Sequence, residues 1–163
     1  MRRVFDANLR RIQENSKRLM STRFHSHGND IFCKIIRGEI PSKKRFENDV
    51  VFAFDDLSPV APVHVLIVPK LHTKGISNLF GATAEEVSEA ELPLRSVDQH
   101  SGSPSDAEIV GQLFAAAAQV AEAVGVAESG YRLVINTGKD AGQTVPHLHL
   151  HLIGGRPLTW PPG

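Results

Sequence analysis

Residues 147–155 read His-Leu-His-Leu-His-Leu-Ile-Gly-Gly, a two-residue alternation that commits three of the chain's eight histidines to one short stretch. Successive side chains of a strand point to opposite faces. As a strand, this stretch places Leu148, Leu150 and Leu152 on one face and His147, His149 and His151 on the other. The leucine face can bury against a helix and so fix the strand. The histidine face then presents three imidazoles spaced about 7 Å apart along the chain.

The rest of the chain supplies a frame for that strand. Residues 29–41 read as a short helix, with Asn29 or Asp30 as cap, an apolar face of Ile31, Phe32, Ile35 and Ile36, and Gly38 at its end. Residues 50–56 and 64–69 are β-branched runs joined through Ser58, Pro59 and Pro62, and residues 131–136 form a further strand followed by a polar loop, 137–143. Residues 108–124 predict a long Ala-rich helix stopped by Gly125. Strands in runs, not alternating with helices, predict an α+β fold: an antiparallel sheet of about five strands with one long and one short helix.

Two segments fall outside this frame. Residues 92–106, polar and rich in Ser and Pro, predict an exposed insertion into a domain spanning 29–163. Residues 1–28 form an extension whose first 27 residues hold seven Arg and Lys against two acids, while Phe5, Leu9, Ile12 and Leu19 fall at helical spacing. The body is correspondingly acidic, net −5, which argues against a basic nucleic-acid-binding surface. No apolar run approaches a membrane span. The single cysteine, Cys33, fits a reducing compartment. The expected location is cytoplasmic, with a mitochondrion or other organelle as the alternative because the basic amphipathic start resembles a transit segment.

Three readings of the histidines compete. One is a strand whose polar face happens to be histidine. A second is zinc, since imidazoles at i and i+2 can share a metal, with His64 or His72 as further ligands. Against it, the Asp30-Ile31-Phe32-Cys33 spacing is that of a CxxC pair lacking its first thiolate, and His72 is expected at the surface. The third is nucleophilic chemistry on phosphorus. A neutral imidazole is a good nucleophile near pH 7, and its neighbours can donate hydrogen bonds to phosphoryl oxygens or a proton to the leaving group. Residues 140–144 add what such a site wants, with Gly142 for close approach and the Thr144 hydroxyl.

Residues 142–156 resemble the signature of the histidine triad superfamily, in which three histidines alternate with apolar residues. Residues 30–41, 53–72, 131–138 and the C-terminal Trp-Pro-Pro-Gly resemble its Hint branch, the purine nucleotide-binding phosphoramidases. The resemblance implies a homodimer with a sheet extended across it. It also implies hydrolysis of a nucleoside 5′-phosphoramidate, an AMP–amine conjugate, through a covalent nucleotidyl-histidine, with no metal or cofactor and no nucleic-acid or membrane partner.

By motif position His149 is the nucleophile, and His151 contacts the phosphate and helps protonate the amine. His147 and His64 support the nucleophile, and Thr144 touches the phosphate or leaving group. Asn136, Gly142 and Gln143 line the phosphate side. Asp56 accepts from the ribose hydroxyls, unless it only caps the turn at Ser58-Pro59. Leu57, Ile31, Phe32 and Ile35 form the apolar nucleoside wall. Trp160 is expected to pack across the dimer, and Pro146 stands where animal members often carry an aromatic. The same superfamily also holds dinucleoside polyphosphate hydrolases and nucleotidyltransferases, and a nucleotide-binding scaffold is the non-enzymatic alternative.

Overall fold

The computed structural model of the chain describes residues 28–79 and 104–162. The basic segment 1–27 and residues 92–103 of the expected insertion lie outside the described residues. In chain order the elements are α1 (Ile31–Ile36), β1 (Lys44–Glu47), β2 (Val51–Asp55), β3 (Val63–Pro69), a single-turn α2 (Ile76–Leu79), α3 (Asp106–Ala123), β4 (Tyr131–Val134) and β5 (Leu150–Gly154). The strands form one sheet in the order β1-β2-β3-β5-β4, antiparallel throughout. The α+β expectation holds. No helix among the described residues is long and apolar enough to cross a membrane.

The central strands are covered on both faces, which explains their unbroken apolar runs. Val51, Ala53, Val65, Ile67, Leu150 and Leu152 pack with Ile109, Leu113, Ala117, Val120 and Ala121 of α3 in one core. The alternate residues Phe52, Phe54, Leu66 and Val68 pack with Phe32 and Ile35 of α1 in a second. The leucines of the histidine stretch thus anchor in the α3 core, as their alternation requires, and Leu148 remains buried with them.

Four details differ from the sequence expectation. Strand β5 begins only at Leu150, so His147 and His149 precede it. Pairing with β3 ends at the Ile67–Leu150 pair, and beyond it the Leu148 N–H turns to the Thr73 carbonyl at 2.6 Å. Strand β1 was not individually legible, because Lys-Arg-Phe-Glu is a mostly exposed edge with no apolar alternation and exists through its pairing with β2. β4 stops at Val134, so Ile135 and Asn136 belong to the following loop. Finally, α3 starts at Asp106, which takes Ser105 and Asp106 out of the expected insertion. Ser105 Oγ accepts from the Glu108 N–H at 3.2 Å, and the Ser105 N–H donates to the Glu108 carboxylate at 2.6 Å. This reciprocal cap satisfies two donors that the first turn would otherwise leave unpaired. Gly125, at φ +77°, closes the other end as expected.

Ser105→Ala removes half of that cap and leaves the α3 core intact. Urea denaturation should show a loss of about 1 kcal/mol, with no change in the slope of the transition.

Candidate active site

The hydrogen-bond partners of four histidines assign each ring one tautomer, because a carbonyl oxygen only accepts and a backbone N–H only donates. His149 Nδ1 lies 2.7 Å from the His147 carbonyl. Its proton therefore sits on Nδ1, and Nε2 keeps a lone pair. His64 Nδ1 accepts from the Val60 N–H at 3.3 Å, so His64 carries its proton on Nε2, 2.9 Å from His151 Nδ1. That contact makes His151 Nδ1 an acceptor and puts the His151 proton on Nε2. This last nitrogen is buried and has no hydrogen-bond partner among the described residues. The His149 and His151 rings lie 4.8 Å apart, centre to centre, in an edge-on arrangement. A lone pair and an unpartnered N–H thus come from adjacent rings, closer than the strand rise alone suggests.

The elements around them hold these rings still. Phe32, on α1, packs edge-on against both His149 and His147 at 5.2 and 5.8 Å, and Phe54 of β2 backs it at 5.7 Å. His147 is fully buried, with Nε2 2.9 Å from the Pro69 carbonyl at the end of β3. Proline has no N–H to offer a sheet partner, but its carbonyl serves as well as any.

Burial dominates the electrostatics of the cluster. It lowers the pKa of His151 from 6.5 to about 4, helped by the neighbouring His149 and His64 and opposed by Asp56. Burial also lowers His64, again against Asp56, whose Oδ2 is 3.4 Å from His64 Nε2. His147 moves the same way by burial, opposed by the Pro69 carbonyl and Asp30. These three rings are therefore neutral near pH 7, which keeps the assigned tautomers in place.

The remaining expected residues divide. Asp56 serves its turn, with Oδ1 accepting from the Ser58 N–H at 2.8 Å, and presents its other oxygen to His64. Leu57 and Ile31 are exposed, at 70% and 41%, and offer apolar surface. Phe32 and Ile35 are buried in the second core, so they back the site from beneath. Asn136 is half-buried just past β4, and Thr144 is exposed in the loop before the histidines. Gly142 occupies a turn at φ +76°, its N–H on the Lys139 carbonyl. The Gln143 amide is spent on the fold: it donates to the Lys74 and Val145 carbonyls and accepts from the Gly138 N–H, which shapes the loop.

Sequence reasoning missed a second cluster. His72, expected at the surface, is half-buried, with Nε2 3.2 Å from Asp30 Oδ2. His147 Nδ1 lies 3.3 Å from the same carboxylate, and Cys33 Sγ is 2.8 Å from it. Burial works to raise the Asp30 pKa, but the Cys33 hydrogen bonds and the nearby His147 outweigh it, and the carboxyl ends below its ordinary value. Asp30 was legible only as the α1 cap, which it also is, accepting from the Phe32 and Cys33 N–H groups. Among the described residues two groups place metal-capable atoms within 4.8 Å of one another: Asp30, Cys33, His72 and His147, and Asp56, His64 and His151.

Comparison with known proteins shows the family of the chain. The HIT domain family matches residues 37–158. A purine nucleoside phosphoramidase of Escherichia coli K12 is 42% identical over 128 residues, covering 78% of this chain and 88% of that protein. An uncharacterized HIT-like protein of Synechocystis is 44% identical over 133 residues, covering 82% of this chain and 96% of its own. Among solved structures, a HIT family hydrolase from Legionella pneumophila superposes with a TM-score of 0.65 at 39% identity, covering 83% of this chain and all of that one.

The lowered His151 pKa makes stability depend on pH. The unfolded ring binds its proton near pH 6.5 and the folded ring only near 4, so between those values the unfolded state holds more protons. Stability is full above about 6.5 and falls as pH drops toward 4. Through this ring the protein should be about 2 kcal/mol less stable at pH 5 than at pH 7.5. His151→Asn should make the urea midpoint depend less steeply on pH across that interval, with His64 and His147 supplying what remains; an unchanged slope would show that the ring titrates normally.

Proposed function

The chain belongs to the HIT family of hydrolases, and we propose that its reaction is cleavage of the P–N bond of a purine nucleoside 5′-phosphoramidate, releasing AMP and an amine. The observation that carries this reading is the His149 tautomer. With Nδ1–H held by the His147 carbonyl, Nε2 has its lone pair available and no proton to lose before it attacks. The phosphoramidase activity belongs by name to the E. coli relative.

His149 Nε2 attacks the α-phosphorus. The P–N bond breaks, its electron pair leaves on the amine, and a covalent Nε2–P bond remains. The positive charge this places on the ring is stabilised by the 2.7 Å bond from Nδ1–H to the His147 carbonyl. The departing amine takes its proton from solvent, and the His151 Nε2–H, which stays on its neutral ring, steadies the reacting group by hydrogen bonding. Water then attacks phosphorus, gives up one proton, and returns His149 to its resting state. The His64 N–H on His151 Nδ1 keeps the His151 proton on Nε2. The Thr144 hydroxyl supplies a donor for the phosphoryl oxygens, and the Gly142 turn, closed by its N–H on the Lys139 carbonyl, sets the path of the loop that carries it. Asp56 Oδ2 accepts from the ribose, while Leu57 and Ile31 flank the base. Every step uses imidazoles and polar groups of this chain.

A homodimer is part of the proposal. β4 ends the sheet as an edge strand, and such an edge invites pairing with a second copy. Arg132 of β4 donates to the Thr159 carbonyl at 2.7 Å and holds the C-terminal tail beside that edge. Trp160, 83% exposed in the single chain, supplies apolar area there.

His149→Ala should abolish covalent labelling by an AMP donor and lower turnover by about 10⁴-fold or more. His151→Ala should slow turnover less. His147→Ala should be milder still, because the carbonyl that sets the His149 tautomer is backbone and survives the substitution. Mass spectrometry of the trapped enzyme should place the nucleotide on His149. A nucleotide on His147 or His151 contradicts the mechanism, and faster turnover of a dinucleoside polyphosphate than of an AMP–amine conjugate contradicts the leaving group.

Deleting residues 1–27 should leave turnover within a few-fold, since each proposed catalytic and binding residue lies at or beyond Ile31. Loss of activity in the truncated protein, with its assembly state unchanged, would place part of the site in that segment.

A further inference from the structure

We propose that Arg156 is a positioning residue of the site: by gripping the Val60 carbonyl it holds His64, and through His64 the His151 donor, in the tautomers the reaction uses. It acts within the imidazole roles proposed above, on which this assignment rests. The weak point of the site is Val60. Its N–H, 3.3 Å from His64 Nδ1, is the group that gives His64 its tautomer. Yet residues 57–60 form an exposed loop, and the Val60 side chain is 61% accessible. Core packing therefore does not fix where this N–H sits.

Hydrogen bonds fix it instead. At the start of the loop the Asp56 carboxylate accepts from the Ser58 N–H at 2.8 Å. At Val60 the Arg156 guanidinium donates to the carbonyl at 3.2 Å through one terminal nitrogen, and its other terminal nitrogen donates to the Pro157 carbonyl at 3.0 Å. Its partners among the described residues are these two carbonyls and not a carboxylate. A planar fork of donors suits that bridging role better than a single ammonium.

The path of the chain delivers Arg156 to the loop. β5 ends at Gly154, and Gly155 follows at φ +81°. A Cβ on Gly155 would lie 3.1 Å from Pro62 Cβ and 3.4 Å from the Val63 nitrogen, so bare backbone passes against the far end of the same loop. The strand that carries His151 thus also carries, just past its end, the side chain that governs His151's partner. The circuit runs from His151 to His64, to Val60, to Arg156 and back along β5.

A single proton lies between His64 Nε2 and His151 Nδ1, so the two rings change tautomer together. Without the Arg156 latch the Val60 N–H leaves His64 Nδ1, which is then free to take that ring's proton. His64 Nε2 becomes the acceptor, and His151 moves its own proton to Nδ1 to serve it. His151 Nε2 is then bare and has no hydrogen bond to offer the reacting group. His149 is untouched, because its tautomer rests on the His147 carbonyl.

Nitrogen-15 NMR of full-length Arg156→Ala near pH 7 should show a second form, protonated on Nδ1, at both His64 and His151, with the wild-type pattern at His149. For an AMP–amine conjugate kcat should fall about tenfold, part of what loss of a transition-state donor costs. KM should stay within about threefold, because Asp56 still holds the start of the loop. Arg156→Lys keeps a donor for the Val60 carbonyl and should restore most of the wild-type spectrum. Val60→Pro removes the N–H itself and should produce the same second form with Arg156 in place; adding Arg156→Ala to it should change neither spectrum nor kcat further. Unchanged His64 and His151 spectra in Arg156→Ala, a change that extends to His149, or full additivity in the double variant would overturn the proposal. The spectra are read without substrate, so they test the latch separately from the phosphoramidase reading.

Discussion

A 2.7 Å hydrogen bond from a histidine ring to the carbonyl two residues earlier decides which nitrogen of His149 keeps a lone pair. The acceptor is a backbone atom, so the arrangement depends on the path of the chain through residues 147–149. That path is not a regular strand. The ladder with β3 ends at Leu150, and the segment before it is held by the Leu148 N–H on Thr73 and the His147 ring on Pro69. Had the strand continued in register, the His147 carbonyl would have served the sheet and not the ring.

Hydrogen bonds fix the neighbours of His149 in the same way. A backbone N–H at Val60 fixes His64, His64 fixes His151, and His151 presents a donor beside the His149 lone pair. Main-chain groups on two sides thus set a pair of imidazoles to opposite roles. Phe32, backed by Phe54, packs against the His149 ring, and the depressed His151 pKa holds that ring in its neutral form near pH 7. The double-sided packing of β2 and β3 makes this possible: α3 takes one set of alternating residues and α1 the other, and the histidines lie on the α1 side.

Much of this was legible in the sequence, for physical reasons. The Leu/His alternation gave a leucine face for the α3 core and a histidine face opposite it, and Gly125 gave the end of α3. The apolar runs of β2 and β3 gave strands but not their two-sided burial, since a continuous run carries no face information. β1 was hidden because an exposed edge strand of charged residues has no pattern to read. The tautomers were illegible because they rest on the carbonyls of Pro69 and His147 and the N–H of Val60, and backbone atoms leave no trace in residue identity. The Asp30–Cys33 spacing reads only as a CxxC pair lacking its first thiolate, and the cluster these two form with His72 and His147 has no sequence pattern. Its members come from three separate stretches, and Asp30 reads locally as nothing more than a helix cap. Gln143 shows the reverse case: a polar residue expected at the phosphate whose amide is used to shape the loop.

The account rests on where the imidazole protons sit, and nitrogen-15 NMR of the histidine side chains near pH 7 observes that directly. It predicts a protonated Nδ1 and a bare Nε2 for His149, and a protonated Nε2 with a bare Nδ1 for His64, His147 and His151. A His149 ring carrying its proton on Nε2 would leave no lone pair toward phosphorus and would contradict the account at its centre.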